Sequence, residues 1–302
     1  MKKLIYIALS IAFLIQGCED ESPMDTNLYP QKVYIVGTAD QIIDRDLHIG
    51  KSVDTISISV AVGGSLPTDQ EVTVTIEEVP TAVEDYNEKS LSPEEVQYRN
   101  LGDTVHSYLN KNTTIEAGKV YNTYPIQIKP ETLHCDSLYM IALTLTSTSA
   151  YELPEEDTVA LVRLNLTNDY AGLYYMEGFI TNTEDTSDFI AYKMARNLVA
   201  TDDGSTVRLI HFNNETVDYR PSHGLKISVN EADTTLSFSS WDEFEIYDGG
   251  GLYYPSLEVY SLWYEFNDNG TRRRTEGFLY KERETEEAQR IIDDWIEEQE
   301  GK

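Results

Sequence analysis

Residues 55–76 read TISISVAVGGSLPTDQEVTVTI, and this stretch decides the fold class of the chain. An apolar residue occupies every second position from Ile56 to Val62, and again from Val72 to Ile76. A period of two is that of a β-strand with one buried face. The Gly63-Gly64-Ser65-Leu66-Pro67 segment between the two runs is typical of a turn. We therefore predict two strands joined by a turn.

Further strand-like runs extend the pattern in both directions. They begin at Val33 and include Tyr124–Lys129, Leu138–Thr146 and Val159–Leu166. Short strands without long intervening helices indicate an immunoglobulin-like β-sandwich over residues 33–168.

One short helix is predicted inside this first domain. Ser92-Pro93-Glu94-Glu95 has the form of an N-cap followed by proline at the first helical position, so we place the helix at Ser92–Leu101.

A second domain begins after Asn168-Asp169-Tyr170-Ala171-Gly172, where aromatic residues become frequent. Asn267-Asp268-Asn269-Gly270 is a strong hairpin turn signal between Leu257–Phe266 and Thr271–Lys281. We predict an antiparallel β domain over residues 169–281, either a barrel or a sandwich. Trp263 alternates with Leu257, Val259 and Ser261 on one strand face, and we expect it in the core.

The last residues change to a helical period. Ala288, Ile291, Ile292, Trp295 and Ile296 fall on one face of a helix, so residues 282–302 are predicted to form an amphipathic helix. This face can dock on the second domain, or it can bind a partner through Trp295. Both alternatives remain open at this point.

The N-terminus has the composition of an export signal. In residues 1–17, Lys2 and Lys3 precede an apolar run that is shorter than the ~20 residues needed to span a bilayer. Leu14-Ile15-Gln16-Gly17-Cys18 resembles a bacterial lipobox, which makes Cys18 the predicted lipidation site. Residues 18–32 are then a lipidated acidic tether, similar to that of Bacteroidetes lipoproteins exposed on the outer membrane. We expect the protein there, anchored by lipid and facing the cell exterior.

The charge of the chain excludes several classes of partner. It carries 23 basic and 53 acidic side chains, for a formal charge of −30. Nucleic-acid binding and electrostatic docking on an anionic membrane both need basic surfaces, so contact with a membrane is expected through the lipid anchor only. Only Cys18 and Cys135 are cysteines. We expect Cys135 to be a small buried apolar residue.

Several local motifs now match one known arrangement. The first block combines the quoted stretch with Asp85-Tyr86-Asn87 and Thr114-Ile115-Glu116-Ala117-Gly118, and it resembles domain of unknown function 1735. The block that opens with Tyr170-Ala171-Gly172 and continues to Gly178 is similar to domain of unknown function 4361. The resemblance implies a surface lipoprotein of gut Bacteroidetes that takes part in glycan capture. It assigns no catalytic residue.

No motif for catalysis accompanies these patterns. The histidines form no H-x-x-x-H or H-E-x-x-H spacing, and no G-x-S-x-G sequence is present. Asp202-Asp203-Gly204 and Asn267-Asp268-Asn269-Gly270 lack the spacing of a calcium loop. We therefore predict a non-enzyme with no bound metal and no cofactor.

Sugar binding needs flat aromatic faces beside polar groups. The segment from Trp241 to Pro255 offers both, and Gly249-Gly250-Gly251 within it is expected to form a mobile or tightly turned loop. The predicted ligand-binding residues are Trp241, Tyr247, Asp248, Tyr253 and Tyr254. The alternative is that Trp241 and Phe244 are core residues and that Tyr253 and Tyr254 pack a loop. Arg272-Arg273-Arg274 either neutralises nearby acids or holds an acidic sugar.

Together these patterns favour a non-catalytic glycan-binding lipoprotein that supplies an outer-membrane importer and neighbouring glycosidases with an oligosaccharide. The alternative is a structural or adhesive surface protein, which would bind a protein partner through exposed aromatics or through Trp295.

Overall fold

The computed structural model describes residues 29–38, 42–102, 105–108, 110–156, 158–201, 204–211 and 218–300. The predicted signal peptide, Cys18 and most of the predicted tether lie outside these residues. Strands dominate the described residues, and none of their helices combines the length and apolar character needed to cross a membrane.

The first domain is a β-sandwich, as predicted. One sheet has the order β1-β3-β8-β6, with β1 at Lys32–Ile35, β3 at Asp54–Gly63, β8 at Tyr121–Ile128 and β6 at His106–Tyr108. The other sheet has the order β2-β10-β9-β4-β7, with β2 at Ile42–His48, β10 at Val159–Thr167, β9 at Leu138–Thr148, β4 at Val72–Glu78 and β7 at Asn112–Ile115. A short strand β5, Tyr98–Asn100, pairs in parallel with β9.

The two predicted strands of the quoted stretch supply the centre of the sandwich. Their alternating apolar residues are buried in one continuous core, which confirms the period-two reading. Because β3 and β4 belong to different sheets, the turn between them carries the chain from one layer to the other.

The helix predicted at Ser92–Leu101 is wrong: the helix α1 occupies Thr81–Ser90 instead. The amide of Ser92 donates to Glu95 Oε2 at 2.6 Å, as in one half of a capping box, but the amide of Glu95 donates to the backbone oxygen of Ser92 at 3.1 Å and closes a single turn. Beyond it, Asn87 of the Tyr-Asn motif holds both backbone groups of Tyr98, through bonds of 2.8 and 3.0 Å. These bonds favour the extended backbone of β5 over a helix.

The second domain is a nearly closed barrel, which decides between the two predicted alternatives. Its eight strands run in the order β15-β14-β13-β12-β11-β18-β17-β16, every pair antiparallel. Strands β11 to β15 are Gly172–Asn182, Phe189–Ala200, Thr206–Ile210, Gly224–Val229 and Leu236–Ser240, and β16 to β18 are Ile246–Tyr254, Val259–Asp268 and Thr271–Tyr280. At the seam, Thr235 bridges to Leu252 and the amide of Tyr253 donates to Thr234 O at 2.8 Å.

The hairpin predicted from Asn267-Asp268-Asn269-Gly270 is confirmed. Asn269 and Gly270 form the two-residue loop between β17 and β18, and both have positive φ, +52° and +87°. These angles are those of the tight turn that matches the twist of a hairpin.

The triple glycine is not a loop, contrary to prediction, because Gly249-Gly250-Gly251 lies inside β16. Gly251 has φ +147°, and a Cβ there would lie 2.1 Å from the carbonyl oxygen of Ser261. Gly178 in β11 has φ +154° and a similar approach to Glu276 O. Glycine therefore allows the sheet to bend and the strands to approach closely, which is what curling into a barrel requires.

The C-terminal helix α3, Glu286–Glu300, docks on the outside of the barrel. Ile292 and Ile296 are buried against Val259, Phe278 and Tyr280, which project outward from β17 and β18. The helix prediction is confirmed, and Ile292, Trp295 and Ile296 of its apolar face pack on this chain's own barrel, whereas Ile291 stays exposed.

An ion-pair cluster joins the two domains. Asp136 of the first domain lies 2.5 Å from Arg208 of β13 and 2.9 Å from Arg220, which opens the short helix α2 (Arg220–His223). Cys135 sits beside this cluster, half-buried in the turn before β9, with Sγ 3.7 Å from Arg208. The prediction of a buried apolar cysteine is therefore wrong, because Cys135 lies half-buried in a turn beside a charged cluster.

Candidate functional site

Trp241 lies at the boundary of the two domains. Arg208 and Lys226 approach its ring, with distances to the ring centroid of 4.7 and 5.2 Å. His134 of the first domain lies 6.0 Å away, centroid to centroid. The half-buried indole therefore contacts side chains of both domains and helps to pack the boundary between them.

Two of the predicted tyrosines are not available for stacking. Tyr253 is only 6% exposed and packs between Tyr170 and Tyr260, and burial raises its pKa to about 12. Tyr254 is covered by Trp295 of α3, with ring centroids 4.7 Å apart. Tyr253 is therefore a core residue, and Tyr254 packs half-buried against α3 through Trp295, which itself helps to dock the helix.

Tyr247 and Asp248 are exposed, as sugar binding requires. They lie at an irregularity in the pairing of β16 with β17, where Ile246 pairs with Phe266 but Asp248 pairs with Glu265. Tyr247 is thus an extra residue in the edge strand, and a bulge of this kind re-aims a side chain outward. Its hydroxyl donates a hydrogen bond to Glu245 at 3.2 Å. The pKa of Tyr247 is raised, mainly by desolvation and in addition by this hydrogen bond.

The outer face of β16–β18 joins Tyr247 to a second aromatic residue through a series of contacts that we call the aromatic–arginine ladder. Arg272 lies over the ring of Tyr247, 4.9 Å from its centroid, and its Nε donates to Glu265 at 2.7 Å. Arg274 lies 3.7 Å from the other oxygen of Glu265 and 4.0 Å from the ring centroid of Trp263. The ladder therefore alternates tyrosine, arginine, carboxylate, arginine and tryptophan.

Trp263 belongs to this outer face and not to the core, contrary to expectation. Its strand neighbours Tyr260, Leu262, Tyr264 and Phe266 fill the barrel interior, so Trp263 points the opposite way. Val259, which shares its face, is buried only because α3 covers that end of the strand. A Cβ at Gly250 would contact the indole at 3.4 Å, so the glycine lets the ring lie against β16.

An apolar patch continues the ladder across β11 and β12. Trp263 pairs across the sheet with Glu276, and Glu276 pairs with Phe179. Phe179 and Phe189 are both exposed and touch edge to face, with centroids 6.0 Å apart. This face is five strands wide from β16 to β12, and the four spacings between neighbouring strands add up to about 19 Å.

The basic run is explained by ion pairs, in agreement with the simpler of its two predicted roles. Arg272 and Arg274 share Glu265, and Arg274 also bonds Glu276 at 3.1 Å. Arg273 points to the other side and pairs with Asp188 and Asp268. These ion pairs fix the guanidinium planes of the three arginines. The planes of Arg272 and Arg274 lie over aromatic rings.

A potential metal-ligand group does not fit a cation. The ligand atoms of His134, Cys135 and Asp136 lie within 4.8 Å of one another. However, the Asp136 carboxylate is ion-paired with Arg208 and Arg220. Burial alone would raise the pKa of Asp136, but the hydrogen bonds and charges of the two arginines outweigh burial and lower it. Two guanidinium groups beside the carboxylate oppose a metal ion.

Sequence reasoning missed Trp263 and Glu265 as members of a site, and it considered Arg272 and Arg274 for sugar binding only as one of two alternatives. The sequence pattern could have indicated that Trp263 faces outward. The polar residues Glu265 and Asn267 share the strand face of Trp263, whereas the alternate positions are uniformly apolar or aromatic. The contribution of Gly250, which lies on a neighbouring strand, could not be found from spacing alone.

Comparison with known proteins agrees with this architecture. An N-terminal domain model matches residues 29–152, and a companion C-terminal model matches residues 158–280. No curated protein sequence matches the chain.

Solved structures of similar fold come from Bacteroides. A Bacteroides ovatus protein of unknown function is 14% identical, with a TM-score of 0.62 over 85% of this chain and 96% of that one. A B. ovatus multidomain protein that includes DUF1735 is 16% identical, with a TM-score of 0.58 over 82% and 93%. An auxiliary nutrient binding protein from Bacteroides thetaiotaomicron is 15% identical, with a TM-score of 0.54 over 78% and 89%. At these identities the likeness shows the fold, and the two family models identify an N-terminal and a companion C-terminal domain in the chain. This agrees with the multidomain organisation of the similar structure that includes DUF1735.

Proposed function

We propose that the protein is a non-catalytic, lipid-anchored surface protein that binds an oligosaccharide on the outer face of its barrel and assists carbohydrate uptake. The observation that carries the proposal is the aromatic–arginine ladder, which presents Tyr247 and Trp263 beside fixed polar groups. The fold likeness to a nutrient binding protein is compatible with this role but does not carry it.

The chemistry of the ladder suits a sugar. A pyranose ring has an apolar C–H face that packs on an aromatic side chain, and its hydroxyls need donors and acceptors close by. Arg272 and Arg274 supply donors, while Glu265 and Asp248 supply acceptors. The ion pairs hold Arg272, Arg274 and Glu265 before a ligand arrives, which reduces the ordering cost of binding.

The same arrangement argues for binding without catalysis. Glycoside hydrolysis uses two carboxyl groups that flank one bond, one of which donates a proton. Glu265 is instead held between two guanidinium groups, and Glu276 is bonded to Arg274. Both carboxylates are engaged in positioning arginine side chains.

A glycan-array screen with the soluble form that begins at residue 19 tests the proposal. We expect one class of oligosaccharide to bind, and Trp263→Ala and Tyr247→Ala to weaken that binding. Leu173→Ala is the matched control, because Leu173 is exposed on the same barrel but outside the ladder. Absence of any glycan ligand, or equal effects of all three variants, would contradict the proposal.

The anchor is tested separately. Cys18 lies outside the described residues, and its lipidation remains a proposal. Cys18→Ala should release the protein from the outer-membrane fraction, and surface proteolysis of intact cells should cleave only the wild-type protein.

A second candidate function is adhesion to a protein partner. Phe179 and Phe189 are exposed by 45 and 57%, and their rings touch in an apolar patch at one end of the β11–β12 pair. Exposed apolar patches of this kind often mark protein contacts. Loss of surface adhesion in Phe189→Ser, with glycan binding retained, would favour this function.

A further inference from the structure

A hollow of about 530 Å³ lies on the first domain, where β7 turns into β8. Its lining includes Thr114, Glu116, Lys119, Tyr121, Asn122 and Thr123. One wall is the Thr114-Ile115-Glu116-Ala117-Gly118 segment, a motif of the sequence that the barrel site leaves without a role.

The turn that closes this hollow is held from behind by a buried threonine. Thr68 is 3% exposed, and its hydroxyl lies 3.0 Å from Glu116 O and 2.9 Å from Lys119 O. The amide of Gly118 donates to Thr68 O at 2.7 Å. Gly118 has φ +81°, so the turn needs glycine at that position. The turn is therefore fixed in shape independently of any ligand.

The strand that forms the other wall is fixed in a similar way. Asn122 Nδ2 donates to Thr114 O at 2.8 Å and to Thr113 Oγ1 at 3.2 Å, which ties β8 to β7. Beside this bond Val120 and Tyr121 are 48 and 59% exposed. A solvent-exposed tyrosine next to a rigid polar hollow is the combination that sugar-binding sites use.

The charges of the hollow indicate a neutral ligand. Glu116 and Lys119 both line it and oppose each other, while the remaining polar groups are hydroxyls, an amide and backbone. A nucleic acid or an acidic polymer would need an excess of basic groups that the hollow lacks. A neutral sugar needs an apolar face and hydrogen-bonding groups of both kinds, and both are present.

We infer that the first domain carries a second carbohydrate subsite, in which Tyr121 stacks on a neutral sugar and the β7–β8 hollow receives its hydroxyls. The inference rests on the proposed function, since it assigns the same class of ligand. It gives the first domain a binding role of its own. Two subsites on one chain would favour long polysaccharides over short fragments, because the second contact forms at high effective concentration.

Native gel electrophoresis in gels that contain a soluble polysaccharide tests the inference. The probes are yeast mannan, barley β-glucan, wheat arabinoxylan and potato galactan, and the protein is the soluble form from residue 19. With a polysaccharide that retards the wild-type protein, we expect Tyr121→Ala to weaken the apparent affinity at least threefold. Tyr121→Phe, which keeps the ring, should bind like the wild type. Val96→Ala is the control, because Val96 is an exposed apolar residue of the first domain away from the hollow.

The outcomes separate this inference from the proposed function. If Tyr121→Ala binds normally while Trp263→Ala is weakened, the second subsite is overturned and the barrel site stands. If Tyr121→Ala is weakened and Trp263→Ala is not, the barrel site is overturned and the subsite stands. If no probe retards the wild-type protein, both are overturned. Unchanged thermal melting of Tyr121→Ala shows that a loss of retardation is not a loss of folding.

Discussion

Replacing Ile292 by alanine should strongly destabilise the docking of α3, whereas the same replacement at Ile291 should not. The two residues are adjacent in one helix and have the same side chain, so helix propensity affects both equally. They differ in burial: Ile292 is 2% exposed in the contact with the barrel, and Ile291 is 55% exposed.

The expected magnitude follows from this difference. Removing a buried isoleucine side chain costs about 2–5 kcal/mol, from lost burial and from the cavity that remains. Alanine returns a few tenths of a kcal/mol through its better helix propensity, so we expect a net loss of about 2–4 kcal/mol for Ile292→Ala. Ile291→Ala should change the stability by less than about 0.5 kcal/mol.

Urea unfolding followed by tryptophan fluorescence measures this difference directly. The three tryptophans of the chain, Trp241, Trp263 and Trp295, all belong to the second domain or its helix, and Trp241 also contacts the first domain, so the signal reports on the second domain and its boundary. With a slope of about 1–3 kcal/mol per molar urea, Ile292→Ala should lower the midpoint by about 1 M or more.

Equal shifts in the two variants would refute the docking geometry. A larger effect of Ile291→Ala would mean that the helix presents a different face to the barrel. Trp295 emission provides a check, because its contact with Tyr254 should be lost when the helix undocks.

Three further predictions concern the framework that positions the candidate site. Gly251→Ala should fail to fold, or its free energy of unfolding in urea should fall by several kcal/mol, because the new Cβ would lie 2.1 Å from a backbone atom. Gly118→Ala is the comparison, since the space around Gly118 is open. It should lose only the ~1 kcal/mol that an unfavourable φ costs. Asp136→Asn should cost about 1–3 kcal/mol and increase the interdomain motion seen by small-angle X-ray scattering, because it removes the charged partner of two arginines. His211 has its pKa lowered to about 3, first by burial and then by nearby Arg196, so the folded state disfavours its charged form. Stability should therefore fall by about 1.4 kcal/mol per pH unit as the pH drops below about 6.5, and His211→Gln should remove that dependence in urea titrations between pH 6.5 and 4.5.

Local periodicity was sufficient to predict the sandwich, the second β domain and the terminal helix. The alternation in residues 55–76 reports directly which side chains are buried, because each strand of the sandwich has one face on the core. The Asn269-Gly270 turn was equally readable, since few residues accept two positive φ angles in succession.

The features that were missed depend on contacts between distant segments. The helix at Ser92–Leu101 was wrong because Asn87 draws Tyr98 into a sheet, a bond that no local pattern records. Barrel closure depends on Thr235 meeting Leu252, and sequence periodicity does not distinguish a closed sheet from an open one.

The candidate site was only partly predictable for the same reason. Tyr247 and Asp248 were found because aromatic and acidic residues stand side by side in the sequence. Tyr253 is buried in the core because its face of β16 points inward. Trp241 packs at the boundary between the domains. Trp263 joins the site only through registry with neighbouring strands.

Titration of the oligosaccharide selected by the array into the wild-type protein and into Trp263→Ala tests the central claim most directly. Calorimetry should show at least a tenfold weaker affinity in the variant, about 1.4 kcal/mol, as expected when an aromatic anchor is removed. The Leu173→Ala control should bind like the wild type. An unchanged affinity in Trp263→Ala, with its fold intact, would contradict the assignment of the barrel face as the carbohydrate site.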